Sequence, residues 1–225
     1  MKKTVTLTKS ATTFMVPAKD ILALWNGVSK EHTRYYLNGV YIECDPYAGS
    51  SGDGVNLVAT DGHVLLKKLA PARAFVGNEV TTQETGDAKG FILKLDVAEK
   101  AFKAKPVGDL WLHGDIETGI IQFLDVSDPE GPEEGENFER LGVCEFTRID
   151  GTFPDWRRVL PREGAEGADF LSFNPELLTR FQKAAKVFMK TACLKLSSAT
   201  PGDPMRVEFK GIPALVGVLM PMRFT

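Results

Sequence analysis

The chain has 225 residues, 43% of them hydrophobic and 25% charged. That is the balance of a soluble globular protein, not of a disordered chain, a collagen or a coiled coil. Its 27 Lys and Arg stand against 30 Asp and Glu, a formal charge of −3, which argues against a generic nucleic-acid binder unless the cations are segregated on one surface.

One or two domains are expected at this length. The longest apolar run, 214–220, is interrupted by Gly217 and is far too short to cross a bilayer. The opening MKKTVTLTKS has no apolar stretch of the signal-peptide kind. Cys44, Cys144 and Cys193 are odd in number and far apart. They fit a reducing cytoplasm, the expected location, and exclude a disulfide framework or a CxxC metal knuckle.

Helical periodicity appears three times in chain order. The first segment, 17–30, opens on Pro17, which suits a first helical turn. The second, 94–105, has Asp96 as its N-cap. The third, 174–190, is capped by Asn174 with Pro175 at the first helical position. Each follows a short apolar stretch, at 13–16, 91–93 and 170–173. Strand-like runs follow each helix: 35–44 and 55–68 after the first, 110–113, 120–124 and 143–149 after the second, and 192–196, 205–209 and 214–220 after the third. The order predicts a structural unit used three times, at spacings of roughly 80 residues. Three loops separate the pieces: a hairpin tip at 45–53, an acidic and mobile stretch at 125–139, and a linker at 162–167.

The wheel positions place cations opposite the apolar face of every helix. Leu177, Leu178, Phe181, Ala184, Ala185 and Phe188 share one side of the third helix, with Arg180, Lys183, Lys186 and Lys190 opposite. In the second, Val97, Ala98, Ala101 and Phe102 oppose Lys100 and Lys103. In the first, Ile21, Leu22, Trp25 and Val28 oppose Lys19, Ala23, Asn26 and Lys30. Surface helices commonly carry lysine, but three such faces on one side of a sheet would form a basic strip able to track phosphates without reading sequence.

Catalytic signatures are missing. His32, His63 and His113 have no ligand spacing, and no Gly-rich phosphate loop occurs. Asp61, Gly62 and His63 read as a turn. Ser50 and Ser51 lack the context of a nucleophile elbow. Glu133 and Glu134 sit in a charged loop ill suited to general acid catalysis, and the acids at 125 and 128 do not complete a calcium loop. A non-catalytic protein with no metal and no cofactor is expected.

Three segments are more specific. RYYLNGV at 34–40 is followed by LVATDGH at 57–63, then IDGTFPDWRRVLP at 149–161, then VLMPMRF at 218–224. In this order and spacing they resemble the bacterial sliding clamp, the beta subunit of DNA polymerase III. The resemblance is strong over 13–161, weaker over 169–213 and strong again at the C-terminus. It implies an α+β clamp fold of β-α-β-β-β units, with helices on one face of antiparallel sheets. Residues 1–161 then form a domain of two units, similar to the clamp's middle domain and ending in a linker at 150–161, and 168–225 form a single further unit.

The implied function is that of a polymerase processivity factor that encircles or tracks duplex DNA without sequence preference. The DNA-facing residues would be Lys19, Lys30, Lys100, Lys103, Arg180, Lys183, Lys186 and Lys190. The resemblance also implies a hydrophobic cleft for peptides of polymerase and clamp-loader partners. The matching positions are Leu37, Thr60, Gly62, His63, Leu65, Pro154, Arg158, Val159, Asn174, Met220, Pro221, Met222, Arg223 and Phe224. Val64 stands where such clamps commonly carry a basic residue, a change expected to alter one wall of the cleft. Clamp rings have twelve units, so three units per chain imply a homo-oligomer. The alternative is a non-ring module that captures clamp-binding peptides and competes with a replicative clamp.

Overall fold

The structure is a computed structural model that describes residues 3–45, 54–71, 73–81, 83–85, 88–95, 110–126, 128, 131–164 and 166–223. Among the described residues, alternating side chains build a sheet of fourteen strands with both faces buried in its central part. β1 (Lys3–Thr6) and β2 (Thr13–Pro17) lead into helix α1 (Ala18–Leu24), which ends in a 3₁₀ turn at Trp25–Gly27. β3 (Val40–Asp45), β4 (Gly54–Thr60), β5 (Val64–Leu69), β6 (Phe75–Val76), β7 (Gln83–Thr85) and β8 (Ala88–Leu95) follow. Next come β9 (Leu110–Asp115), β10 (Ile120–Asp125) and the long β11 (Asn137–Ile149). Helix α2 (Leu178–Lys186) precedes β12 (Leu194–Ser197), β13 (Met205–Phe209) and β14 (Leu215–Leu219).

The strand order is β12-β13-β14-β5-β4-β3-β8-β11-β10-β9-β2-β6, with β1 paired to β11 and β7 to β8. Every described ladder is antiparallel. The seam between the first part of the chain and the last is β14 against β5, from Leu215 opposite Lys68 to Leu219 opposite Val64. The sheet is therefore continuous across the linker.

The period of two sorts the core into two layers. Val40, Ile42, Leu57, Ala59, Val64, Leu66, Phe91 and Leu93 face the main core, which also holds Ile21 and Leu24 of α1 and Phe181, Ala184 and Ala185 of α2. Their strand neighbours Tyr41, Val58, Leu65, Ile92 and Val218 face a second, smaller core with Leu37, Ile149, Phe153 and Trp156. Both described helices thus lie on one side of the sheet.

α2 forms where the Asn174 Oδ1 accepts a hydrogen bond from the Glu176 amide at 3.0 Å. Pro175 opens a 3₁₀ turn, Pro175–Leu177, that runs into the helix. Its apolar stripe docks on β14 through Phe181, whose ring lies over Gly217; a Cβ there would stand 2.6 Å from the ring. α1 contacts both the sheet and α2. Ala23, placed on the open side by its wheel position, is fully buried for that reason.

Several expected boundaries shift. The run at 35–44 begins as a 3₁₀ turn, Tyr35–Leu37, and 55–68 is two strands joined by the Asp61–His63 turn. The stretch at 170–173 is irregular, not a strand. Lys94 and Leu95, read as the start of the second helix, end strand β8; residues 96–109, with the rest of that helix, lie outside the described residues. The acidic loop is anchored where it is described. Arg73 holds Asp128 at 2.7 Å, Glu133 at 2.8 Å and the Gly131 carbonyl at 2.7 Å. Leu7 exchanges backbone hydrogen bonds with Gly135 and Glu136.

Candidate functional site

The turn between β4 and β5 is held from within. The Thr60 hydroxyl donates to the Val64 carbonyl at 2.6 Å and accepts from the Gly62 amide at 3.1 Å. Asp61 Oδ1 accepts from the amides of both His63 and Val64 at 2.9 Å. Gly62 takes φ +91°, a conformation that costs glycine little. The result is a tight loop with Gly62 and His63 exposed at its tip.

The C-terminal segment runs along this loop. The Met220 amide donates to the His63 carbonyl at 3.0 Å, and the Met222 amide to the Ser172 carbonyl at 2.8 Å. Leu37, Leu65, Val159 and Met220 meet in the second core, on the sheet face turned away from the helices. Leu37 and Leu65 are buried, while Val159 and Met220 are half-buried. Pro154, Arg158, Met222 and Arg223 are exposed. Four residues far apart in sequence therefore form one apolar floor beside an exposed turn. Asn174 serves as the helix cap, and Phe224 lies outside the described residues. Val64 is fully buried in the main core, on the other face from Leu65. A valine there completes the helix-side packing.

Sequence reasoning missed the anchor of this face. Arg157, not its neighbour Arg158, reaches into the sheet. Its Nη2 and Nη1 contact Glu43 Oε1 and Oε2 at 2.6 and 3.2 Å. The Trp156 indole N–H donates to the same carboxylate at 3.4 Å, and the guanidinium stacks on the Trp156 ring, 4.3 Å from its centroid. Glu43 is fully buried. Its isolation within the apolar run 40–44 was the signal available. Tyr41 stacks on Phe153, centroids 4.8 Å apart, and extends the same platform.

On the helix side, Lys30, Lys183, Lys186 and Lys190 are exposed and Lys19 is half-buried. Lys100 and Lys103 lie outside the described residues. Arg180 departs from the expected set. Its Nη1 stands 2.7 Å from Asp61 Oδ2, with side-chain exposures of 33% and 10%, so its charge is directed at the turn and not at solvent.

Two other buried groups have shifted acidity. Burial pushes the Asp20 carboxyl up to about 6, against the attraction of Lys68 and Lys19. Lys68 Nζ lies 3.8 Å away, within 3.4 Å of the Leu69 and Pro213 carbonyls. Burial likewise lowers the His113 imidazole, outweighing the Thr8 backbone and Asp115. Among the described residues no three His, Cys, Asp or Glu side chains gather as a metal site. No described helix is long and apolar enough to cross a membrane.

No protein-family model matches the chain. Over 141 residues, 62% of its length, it is 30% identical to the beta sliding clamp of Caulobacter vibrioides. Over 142 residues it is 31% identical to the beta sliding clamp of Vibrio cholerae. The matched regions make up only 31% and 29% of those curated relatives, so the chain spans about a third of their length. The solved structure of Caulobacter crescentus pol III beta superposes with a TM-score of 0.58 at 19% identity, covering 98% of this chain and 68% of that one. The chain resembles bacterial beta sliding clamps in sequence and has the clamp fold.

Proposed function

We propose that the chain is a clamp-like polymerase processivity factor without catalysis of its own. It rests on duplex DNA through the helix side of its sheet and holds partner peptides on the opposite side. The observation that carries this reading is the division of the sheet into two faces. Lys19 of α1 and Lys183 and Lys186 of α2 belong to the helix side, with Lys30 and Lys190 in the segments that follow those helices, and Leu37, Leu65, Val159 and Met220 pack together on the other side.

The two chemistries suit the two tasks. Lys30, Lys183, Lys186 and Lys190 are flexible point charges that neutralise phosphates without fixing a register, which permits sliding. An apolar floor with a methionine adapts to varied leucine and phenylalanine side chains. Arg158 and Arg223 on its rim can hold peptide carbonyls or acidic side chains. The natural ligand is a short peptide of a polymerase or clamp loader, and the working form is a homo-oligomer.

The test uses the triple variant K183E/K186E/K190E. Association with nicked circular duplex DNA is expected to be lost, while capture of a peptide containing a glutamine, leucines and a phenylalanine persists. Normal DNA retention by the variant would remove the helix face from the proposal. Unaltered capture together with a chain that never retains DNA favours the peptide-capturing module instead.

A further inference from the structure

Asp61 divides its two oxygens between two tasks. Oδ1 accepts from the amides of His63 and Val64 and so closes the turn at the cleft. Oδ2 receives Arg180 from helix α2 at 2.7 Å. A single carboxylate, 10% exposed, thereby joins the peptide-cleft turn to a helix of the C-terminal unit. We propose that Arg180 is a positioning residue of the peptide cleft: it holds the Thr60–Val64 turn in the shape that presents Gly62 and His63. The proposal rests on the cleft reading above.

The physical case is one of orientation. A carboxylate held on Oδ1 by two turn amides and on Oδ2 by an ion pair with Arg180 is restricted in its terminal torsion. Removing the guanidinium leaves a largely buried oxygen without its charged donor, and rotation to recover a partner withdraws Oδ1 from the turn amides. The turn has little else to hold it. Gly62 at φ +91° has no side chain to restrict it, and the remaining internal restraints are the Thr60 hydroxyl and a long bond from the Asp61 amide to the Val64 carbonyl at 3.4 Å. The His63 carbonyl also receives the Met220 amide. A displaced turn therefore displaces the residue that supplies part of the apolar floor.

The test measures binding of a labelled peptide, with a glutamine followed by leucines and a phenylalanine, by fluorescence anisotropy on the full chain. R180M keeps the aliphatic stem and removes the charge. D61N keeps the Oδ1 acceptor and removes the charge facing Arg180. Each is expected to weaken the peptide about tenfold, and R180K to restore most of the affinity. The double variant R180M/D61N is expected to be no weaker than either single one, because both remove the same contact. Thermal melting of every variant is recorded alongside, and affinity is read well below each transition.

Wild-type affinity in both single variants overturns the proposal, as does a double variant whose losses add. Equal loss in R180M and R180K also overturns it, since a packing defect would not answer to charge. A DNA salt slope lowered by about one in R180M, with peptide affinity intact, returns the side chain to phosphate contact and overturns it as well. If the unmutated chain binds no peptide, the cleft reading itself falls and takes this proposal with it.

Discussion

Arg157 closes both terminal nitrogens on the carboxylate of Glu43, at 2.6 and 3.2 Å, inside the second core. This bidentate pair pins the 3₁₀ turn Trp156–Val159 to strand β3. It fixes the position of Val159, and with it one wall of the apolar floor. Arg157→Met leaves the buried Glu43 with only the Trp156 indole. A loss of about 3–5 kcal/mol is expected in chemical unfolding, together with weaker peptide binding. Arg158→Met, at an 84% exposed side chain, is expected to cost less than about 1 kcal/mol.

The Asp20 carboxyl gives the fold a pH dependence of unusual sign. Its acidity in the folded state is pushed up to about 6 from an ordinary value of 3.8. Between those values the folded chain binds more protons than the unfolded one. The group's contribution is therefore fully present below about pH 4 and is lost as pH rises through 6, by on the order of 2–3 kcal/mol. Asp20→Asn removes this term. Urea unfolding at pH 5 and pH 7.5 is expected to show a smaller fall with rising pH in the variant than in the parent.

Gly217 is the contact point between β14 and Phe181. Any Cβ there must displace the ring or the strand. Gly217→Val is expected to destabilise by about 1–3 kcal/mol through overpacking. Hydrogen exchange is expected to rise in α2 and to change little in β9 and β10, which lie at the far end of the sheet.

If the cleft takes partner peptides, residues 220–225 are part of it. Deleting them removes Met220 and its bond to the His63 carbonyl while sparing the strand ladders. The parent chain is expected to bind the peptide at micromolar strength, about −8 kcal/mol, and the deletion to bind none. Unaltered affinity in the deletion would move the binding site elsewhere.

Assembly is read directly as absolute mass by light scattering over a range of concentrations. A defined trimer or tetramer is the expected result and supports ring-like closure around DNA. A monomer throughout would leave the peptide-capturing module as the better reading.

Much of this was legible in the sequence because local rules decided it. The alternation in 205–209 fixed a strand with the same bounds, and Asn174 with Pro175 marked the start of α2. The resemblance of 57–63 and 218–224 to clamps named residues that the structure brings side by side at His63 and Met220. What escaped depended on partners distant in sequence. β1 is polar and short, and becomes a strand only because β11 offers it an edge. The acidic loop carried every mark of a mobile segment, yet Arg73 holds it. The wheel of α2 put Arg180 with the lysines, since a helical projection cannot say that Asp61 waits at the end of β4. Glu43 and Arg157 are 114 positions apart, and neither carries a local signal that identifies the other.

The seam between β5 and β14 sets a timetable for synthesis. β5 emerges early, but its partner follows roughly 150 residues later, which at 5–20 residues per second is on the order of ten seconds or more. Throughout that wait the edge of β5 is open to any other strand. Lys67 and Lys68, in the middle of that edge, discourage such pairing while it is unprotected. On closure Lys68 finds the Pro213 carbonyl and Asp20. The same side chain thus guards the nascent strand and later fastens the finished one, so replacing it with an apolar residue would favour aggregation during translation over loss of the completed fold.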